Sequence, residues 1–363
     1  MRDLFAVQRE IGASVVAALT PRLGLKSPGG VVEAGTADME AYDLFLRAGF
    51  ALQQRGADSL RAAAAMFARA TARDQRFARA YAGIAEATVL LPQYGGGGYA
   101  EDAVAVREAA QQALTIDSTL AVPYMALGLL AKGMGEWRTA EQSFTRSLLR
   151  DARLAEAHQS LGELYYTLGR TDDDVRAFER GALLEPANIP VVSEFAFALA
   201  LAGRLDSARR VIDAALVRDA NNGFTHFTQA LIRERQGDRA GAVQSTRAAL
   251  QRAPLPLFVG AQIRLAHGAA DTGTERAART QLQAMGAAPG VALATAIAAS
   301  ATGSIADIAA GMERAIDERD PFMYQLPLRL WWFDPLRGTT ELARIAKRLG
   351  LPLEAGAASP VKR

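Results

Sequence analysis

The residues best suited to chemistry in this 363-residue chain are its three histidines, His158, His226 and His267. Two imidazoles hold a transition metal when they stand one helical turn apart, as in a His-Glu-x-x-His sequence. His158 and His226 are instead sixty-eight residues apart, which is two periods of a thirty-four-residue repeat. At ~10 Å per helix layer, roughly 20 Å separates them. We therefore predict that both pack in a core and that neither shares a metal ion.

Other catalytic or cofactor motifs are missing from the sequence. There is no cysteine, no Gly-x-Ser-x-Gly elbow and no Walker loop. Asp172-Asp173-Asp174 follows a glycine turn and is interpreted as the first turn of a helix, where carboxylates stabilise the dipole; a calcium ligand set is the alternative. We predict a non-enzymatic chain with no cofactor and no metal. The least favoured alternative is an enzyme that uses Glu313, Asp317 and Asp320 near the C-terminus.

A period of thirty-four residues organises the middle of the chain. Glycines recur at this period, at Gly135, Gly169, Gly203 and Gly237. Each is predicted to end the first helix of a pair in the left-handed conformation, which glycine adopts without steric cost. At Gly128 and Gly162, which have no side chain, another helix is predicted to cross close to the backbone. This pattern resembles the tetratricopeptide repeat (TPR) family. The resemblance implies an all-α fold, a right-handed superhelical α-solenoid of helix-turn-helix repeats with a C-terminal helical cap.

The repeat pattern and the composition together divide the chain into five parts. We predict an N-terminal amphipathic helix over 1–24, a linker over 25–37, about seven TPR repeats over 38–288 beginning with Asp38 as N-cap, a helical cap over 289–353 and a disordered tail over 354–363. The cluster Trp331-Trp332-Phe333 is interpreted as part of that cap. A docking patch for a partner is the alternative.

Three segments carry a narrower resemblance, namely 2–19, 41–74 and 332–352. They resemble the C-terminal repeat region of bacterial multidomain signalling proteins. In those proteins TPR arrays follow a winged-helix, serine/threonine kinase or nucleotide cyclase domain. The resemblance implies that 1–24 is a remnant of an upstream domain and that the chain is a docking or sensory arm. It does not carry over DNA binding, kinase or cyclase activity, because no such domain is present in this sequence.

The first helix of each TPR pair lines the concave side of the array, so the resemblance also places a binding groove. The predicted groove residues are Met125, Leu129, Lys132, Gln159, Glu163, Tyr166, Phe197, Phe224, Phe227 and Leu231. Because a solvated groove would not normally be this apolar, we hypothesise that it binds a peptide or helix, with Glu163 and Tyr166 giving polar specificity. The alternative is that the chain's own superhelix or terminal segments cover these side chains.

The charge balance bears on the class of partner. The chain has 41 basic and 39 acidic residues, a net charge of +2, and no block of like charges. It therefore lacks the basic surface expected for nucleic acid or anionic membrane. An RNA-binding helical repeat is an alternative that would require a basic groove. No apolar stretch approaches the ~20 residues of a membrane span. We predict a cytoplasmic chain with a protein or peptide partner and no nucleic acid.

Overall fold

The computed structural model of this chain describes residues 35–351, apart from 95, 319, 321–322, 324–327 and 329. The predicted helix over 1–24, most of the predicted linker and the predicted tail over 354–363 lie outside the described residues. The chain divides into two compact units, Met1–Leu127 and Gly128–Arg363. Every regular element along the described residues is helical. None of these helices combines the length and apolar character that a bilayer span requires.

The first unit holds two helical hairpins and the start of a third. Its helices are α1 (Met39–Gln53), α2 (Ala57–Arg73), α3 (Ala78–Leu90) and α4 (Tyr99–Ile116), and α5 (Val122–Gly133) spans the division between the units. The side chain of Asp38 accepts hydrogen bonds from the backbone N–H groups of Glu40 and Ala41 at 2.9 and 3.0 Å. The predicted N-cap is therefore confirmed, and it satisfies two donors that the first turn of a helix leaves free.

The second unit continues the hairpins through the rest of the chain. Its helices are α6 (Trp137–Arg150), α7 (Ala155–Thr167), α8 (Thr171–Leu184), α9 (Ile189–Leu201), α10 (Leu205–Arg218), α11 (Gly223–Arg235), α12 (Arg239–Arg252), α13 (Pro256–Gly268), α14 (Thr272–Ala284), α15 (Val291–Ala299), α16 (Ile305–Asp317) and α17 (Thr340–Arg348). A 3-10 helix, Trp331–Leu336, precedes α17. One buried apolar core extends from Tyr166 on α7 to Leu349 after α17.

The glycines at the thirty-four-residue period have the predicted conformation. Gly135, Gly169, Gly203 and Gly237 have φ angles between 75° and 85°. The predicted close approach at two further glycines is also confirmed. A Cβ on Gly128 would lie 2.5 Å from the ring of Phe144, and one on Gly162 would lie 2.9 Å from the ring of Phe178. The neighbour in each case is an aromatic ring on the second helix of the same hairpin.

The seventh hairpin departs from the predicted pattern at its turn. Gly273 lies inside α14 and does not form this turn. The residue in the left-handed conformation is Ala270, with φ 57°. Asp271 follows it as N-cap and accepts a hydrogen bond from the backbone N–H of Thr274 at 3.0 Å. The turn therefore comes thirty-three residues after Gly237, one residue early, because the cap position is set by Asp271.

The C-terminal helices return along the second unit. Arg348 pairs with Asp317 at 2.5 Å, and Arg344 pairs with Glu313, so that α17 lies against α16. Beyond α17 the carbonyl of Gly350 accepts a hydrogen bond from the Nε1 of Trp137 at 2.7 Å. Because Trp137 begins α6, Gly350 contacts the second helix of the third hairpin.

Candidate functional site

The predicted groove residues all lie on first helices, those of the third to sixth hairpins. Six of them are buried: Met125, Leu129, Tyr166, Phe197, Phe227 and Leu231. Lys132, Gln159, Glu163 and Phe224 are intermediate in exposure. Met125 belongs to the first unit and the other nine residues belong to the second. We use the term first-helix face for the surface of α7, α9 and α11 that carries the predicted residues from Gln159 to Leu231.

An aromatic row runs along this first-helix face. The ring centroids of Tyr166 and Phe197 are 5.4 Å apart, and those of Phe197 and Phe224 are 6.1 Å apart. The row continues from Phe224 to Phe227 at 6.0 Å and from Phe227 to Phe258 at 5.2 Å. Phe258 lies on the first helix of the seventh hairpin, one hairpin beyond the predicted set. Such contacts stabilise aromatic pairs by ~0.5–1.5 kcal/mol beyond the area they bury, so the row ties four successive hairpins together.

The 3-10 helix Trp331–Leu336 covers the C-terminal end of the aromatic row. The ring of Trp332 meets that of Phe227 edge-on, with the centroids 6.2 Å apart. The indole N–H groups of Trp331 and Trp332 both donate to the Oε2 of Glu234, at 2.9 and 2.6 Å. Besides lying against α16, as a cap would, this aromatic cluster therefore packs on the sixth hairpin.

Charged side chains surround the two indoles. The guanidinium of Arg264 lies 3.5 Å from the Oε1 of Glu234 and 5.5 Å from the ring centroid of Trp332. Arg235 lies over the ring of Trp331 at 4.9 Å. Burial lowers the pKa of Arg264, and the carboxylates of Glu234 and Asp334 oppose that shift. Arg264 was not predicted from the sequence, because it lies in the seventh hairpin and the predicted groove ends in the sixth.

The other end of the first-helix face is polar. Lys132 forms an ion pair with Glu163, and their side chains are 15% and 30% exposed. Beside this pair lies Glu194 on α9, next to Gln159. Burial raises the pKa of Glu194 well above its usual value; repulsion from Glu163 adds to the shift and Lys132 opposes it. Neither the Oε2 of Glu194 nor the hydroxyl of Tyr166 has a hydrogen-bond partner among the described residues.

Glu194 was missed in the sequence, although a signal for it exists. It is the only charged residue of α9. The same repeat position carries Ala126, Ser160 and Thr228 in the neighbouring hairpins. An acidic residue at a position that is otherwise small and uncharged marks the polar end of the face.

The structure also locates His158 and His226. His158 and His226 are half-buried, and the Nε2 of each lies 3.1 and 2.9 Å from the carbonyl oxygen of Ala152 and Ala220, respectively. Burial lowers the pKa of both imidazoles. Within the part of the chain that the structure describes, no three His, Asp or Glu side chains are grouped as metal ligands.

Several solved structures are similar to this arrangement of hairpins. The yeast Tom70 structure covers 94% of this chain and 77% of its own, at 13% identity and a TM-score of 0.52. PilF of Pseudomonas aeruginosa covers 60% of this chain and 95% of its own, at 19% identity and a TM-score of 0.48. A tetratricopeptide repeat protein from Parabacteroides merdae covers 65% and 93%, at 14% identity and a TM-score of 0.48. The fold is of the TPR type. No protein-family model and no curated protein sequence matches the chain.

The TPR-type fold explains why the site residues come together. The first helices of successive hairpins stand side by side, so that residues thirty-four positions apart become neighbours. Lys132, Gln159 and Glu194 come from three successive first helices and meet for this reason. The arrangement places an ion pair, an amide and a buried carboxyl beside an aromatic row.

Glu194 gives a pH-dependent prediction. Because its pKa is raised in the folded state, the folded chain holds the proton more tightly than the unfolded chain. This contribution to stability is complete below the unfolded pKa of about 4.3 and is lost as the pH rises through the folded pKa. We expect Glu194→Gln to be more stable than the parent at pH 8, with a smaller difference at pH 5.

Urea unfolding followed by circular dichroism between pH 5 and pH 8 measures this difference. Glu163→Gln is the matched control. It should destabilise the chain at neutral pH, because it removes the ion pair between Lys132 and Glu163. A difference in stability between Glu194→Gln and the parent that does not grow with pH would contradict the raised pKa of Glu194.

Proposed function

We propose that this chain is a non-enzymatic protein–protein interaction scaffold that binds a peptide or helix on its first-helix face. In this proposal it serves as the docking or sensory arm of a bacterial signalling or transcription-regulatory system. The TPR-type fold supports the scaffold role, since it sets side chains from successive helices on one continuous surface.

One observation carries the proposal: the first-helix face already holds a segment of its own chain. Trp332 packs on Phe227, and both indole N–H groups of the segment bond to Glu234. The face thus combines an apolar surface with a carboxylate that accepts hydrogen bonds from N–H donors. Aromatic side chains that bury their rings and satisfy their polar atoms are frequent anchors in protein interfaces.

The polar end is where we propose that a partner docks. Lys132, Gln159 and Glu163 keep intermediate exposure, whereas Trp331–Leu336 covers the far end at Phe227. The carboxylate of Glu163 beside the unpartnered Oε2 of Glu194 favours a partner that brings an N–H donor or a basic side chain. The adjoining Tyr166 and Phe197 favour an apolar or aromatic neighbour in the same partner.

A random peptide library selected on the folded chain tests this proposal. Enriched peptides are expected to combine a basic residue with an aromatic or large apolar residue. Glu163→Lys should weaken their binding by at least about tenfold, which corresponds to ~1.4 kcal/mol. Glu179→Lys is the matched control, because it makes the same charge change at an exposed position on the second helix of the same hairpin. That control should bind as the parent does.

Two outcomes would contradict the proposal, and each variant must first be shown to be folded. Either no peptide is enriched, or the enriched peptides bind Glu163→Lys and the parent equally well. Charge insertion at Phe197 or Phe227 is not a test of binding. Those rings are only 7% and 1% exposed, so that an unpaired charge there would unfold the chain before binding could be measured.

A further inference from the structure

A cleft of about 600 Å³ opens between α10 and α11 in the second unit. Its floor includes Ile212 and Ile232, and its walls include Gln229 and Gln236. The residues that α11 contributes lie on a different side of that helix from Phe227 and the aromatic row, given the 100° step per residue of an α-helix. The cleft is therefore separate from the first-helix face, and its volume falls in the ~300–1,000 Å³ range of small-molecule sites.

The cleft exists because polar residues replace apolar ones at a single hairpin interface. Thirty-four residues earlier, the equivalents of Arg209, Ile212, Gln229 and Arg233 are Val175, Phe178, Phe195 and Leu199. That preceding interface, between α8 and α9, is packed: Val175, Phe178 and Leu199 are each 3–4% exposed. The positions of Phe178 and Phe195 hold the smaller Ile212 and Gln229 in the cleft, and this exchange removes packing volume. It also brings hydrogen-bonding groups to a surface that its neighbour seals with apolar contacts.

The polar groups of the cleft are held in place yet keep unused donors. The NH1 of Arg233 donates to the carbonyl of Gly241 at 3.1 Å and to the Oγ of Ser245 at 2.9 Å. Ser245 in turn donates to the Oε1 of Gln229 at 2.9 Å. The NH2 of Arg233 and the Nε2 of Gln229 have no hydrogen-bond partner among the described residues. The network thus fixes one edge of the guanidinium and leaves the other edge for a ligand.

The charges of the cleft come in two loose pairs. The Nε of Arg209 lies 3.5 Å from the Oδ2 of Asp213, and the Nε of Arg233 lies 3.9 Å from the Oδ2 of Asp238. The second separation is longer than a hydrogen bond, and the first is at its outer limit. Two positive and two negative groups therefore line the cleft with a net charge of zero. A ligand that carries charge of only one sign would be repelled at close range by the two groups of its own sign.

We propose that this cleft binds a small zwitterion of the α-amino-acid type. The carboxylate of the ligand pairs with the guanidiniums of Arg209 and Arg233, which are suited to planar carboxylates. Its ammonium pairs with Asp213 or Asp238, and its side chain rests on Ile212 and Ile232. A ligand that carries both signs can pair with the guanidiniums and the carboxylates at once, which a ligand of one sign cannot do. The site goes beyond the proposed docking function and does not depend on it.

Binding of the twenty common amino acids, each tested alone on the full chain by thermal shift and then by calorimetry, tests the proposal. We expect at least one to bind. Its amide, which lacks the carboxylate, and its N-acetyl derivative, which lacks the ammonium, should each bind at least about tenfold more weakly. Binding by no amino acid overturns the proposal. Equal binding of either masked derivative or of inorganic phosphate also overturns it, because it removes the requirement for both charges.

Variants locate the site. Gln229→Phe combined with Arg233→Leu recreates the residue types of the preceding interface. This double variant should fill the cleft and abolish binding while the chain stays folded.

Arg209→Ala changes a side chain that is 66% exposed, so it leaves the core intact and should weaken binding at least about tenfold. Arg210→Ala is the control, because Arg210 bonds to Ser207 and does not line the cleft. Parent-like binding by Arg209→Ala places the ligand elsewhere and overturns the proposal. Peptide binding on the first-helix face should be unchanged in all three variants, which separates this test from that of the proposed function.

Discussion

Replacement of Trp332 by alanine is expected to lower the free energy of unfolding by about 3–5 kcal/mol. The side chain is 1% exposed and is the largest apolar group joining the C-terminal segment to α11. Its removal deletes the edge-on contact with Phe227 and the hydrogen bond to Glu234, and it leaves a cavity that the packed helices cannot fill by collapse. Urea unfolding followed by far-ultraviolet circular dichroism measures the loss without relying on the deleted fluorophore.

Trp331→Ala is the matched control for that substitution. Trp331 donates to the same carboxylate oxygen, but its side chain is only partly buried and its other close partner is the half-buried Arg235. We expect a loss of about 1 kcal/mol, close to the net value of one hydrogen bond. Equal losses in the two variants would show that the hydrogen bonds, and not the burial of Trp332, hold the segment on the first-helix face.

Gly260→Ala should also destabilise the chain strongly for so small a change. A Cβ on Gly260 in α13 would lie 2.5 Å from the carbonyl oxygen of Ala294 and 2.9 Å from its Cα. Because these atoms belong to the backbone of α15, no side-chain rotation relieves the clash and the two helices must move apart. We expect a loss of about 1–3 kcal/mol, typical of overpacking in a core, even though alanine is the better helix former.

Gly268→Ala on the same helix provides the comparison. A Cβ there would meet nothing within 4 Å, and its φ lies outside the left-handed region. With no clash, the helix propensity of alanine should dominate and raise stability by up to about 1 kcal/mol. Thermal and urea unfolding of the two variants side by side measure the difference. Similar stability changes for both would mean that α13 and α15 do not approach as closely as the structure shows.

The sequence predicted the hairpins well because their signals are local. Gly135, Gly169, Gly203 and Gly237 mark the turns, since only a few neighbouring residues decide whether the backbone must be left-handed there. The seventh turn lacks this signal, since its left-handed residue is Ala270 and Asp271 caps the helix that follows. The ten predicted groove residues all fall on first helices, because a fixed repeat length transfers their positions from one hairpin to the next.

By itself, then, the sequence determined the helical hairpins, their turns and the helix that carries each predicted groove residue. Only the tertiary structure decided which of those residues are exposed. Trp331–Leu336 covers Phe227 from about a hundred residues further along the chain, and no local pattern specifies where a returning segment packs. The burial of Glu194 and the cleft beside Arg233 likewise depend on neighbouring hairpins. Burial and the pairing of charges are properties of all the groups around a side chain, whereas a sequence pattern records only those on its own helix.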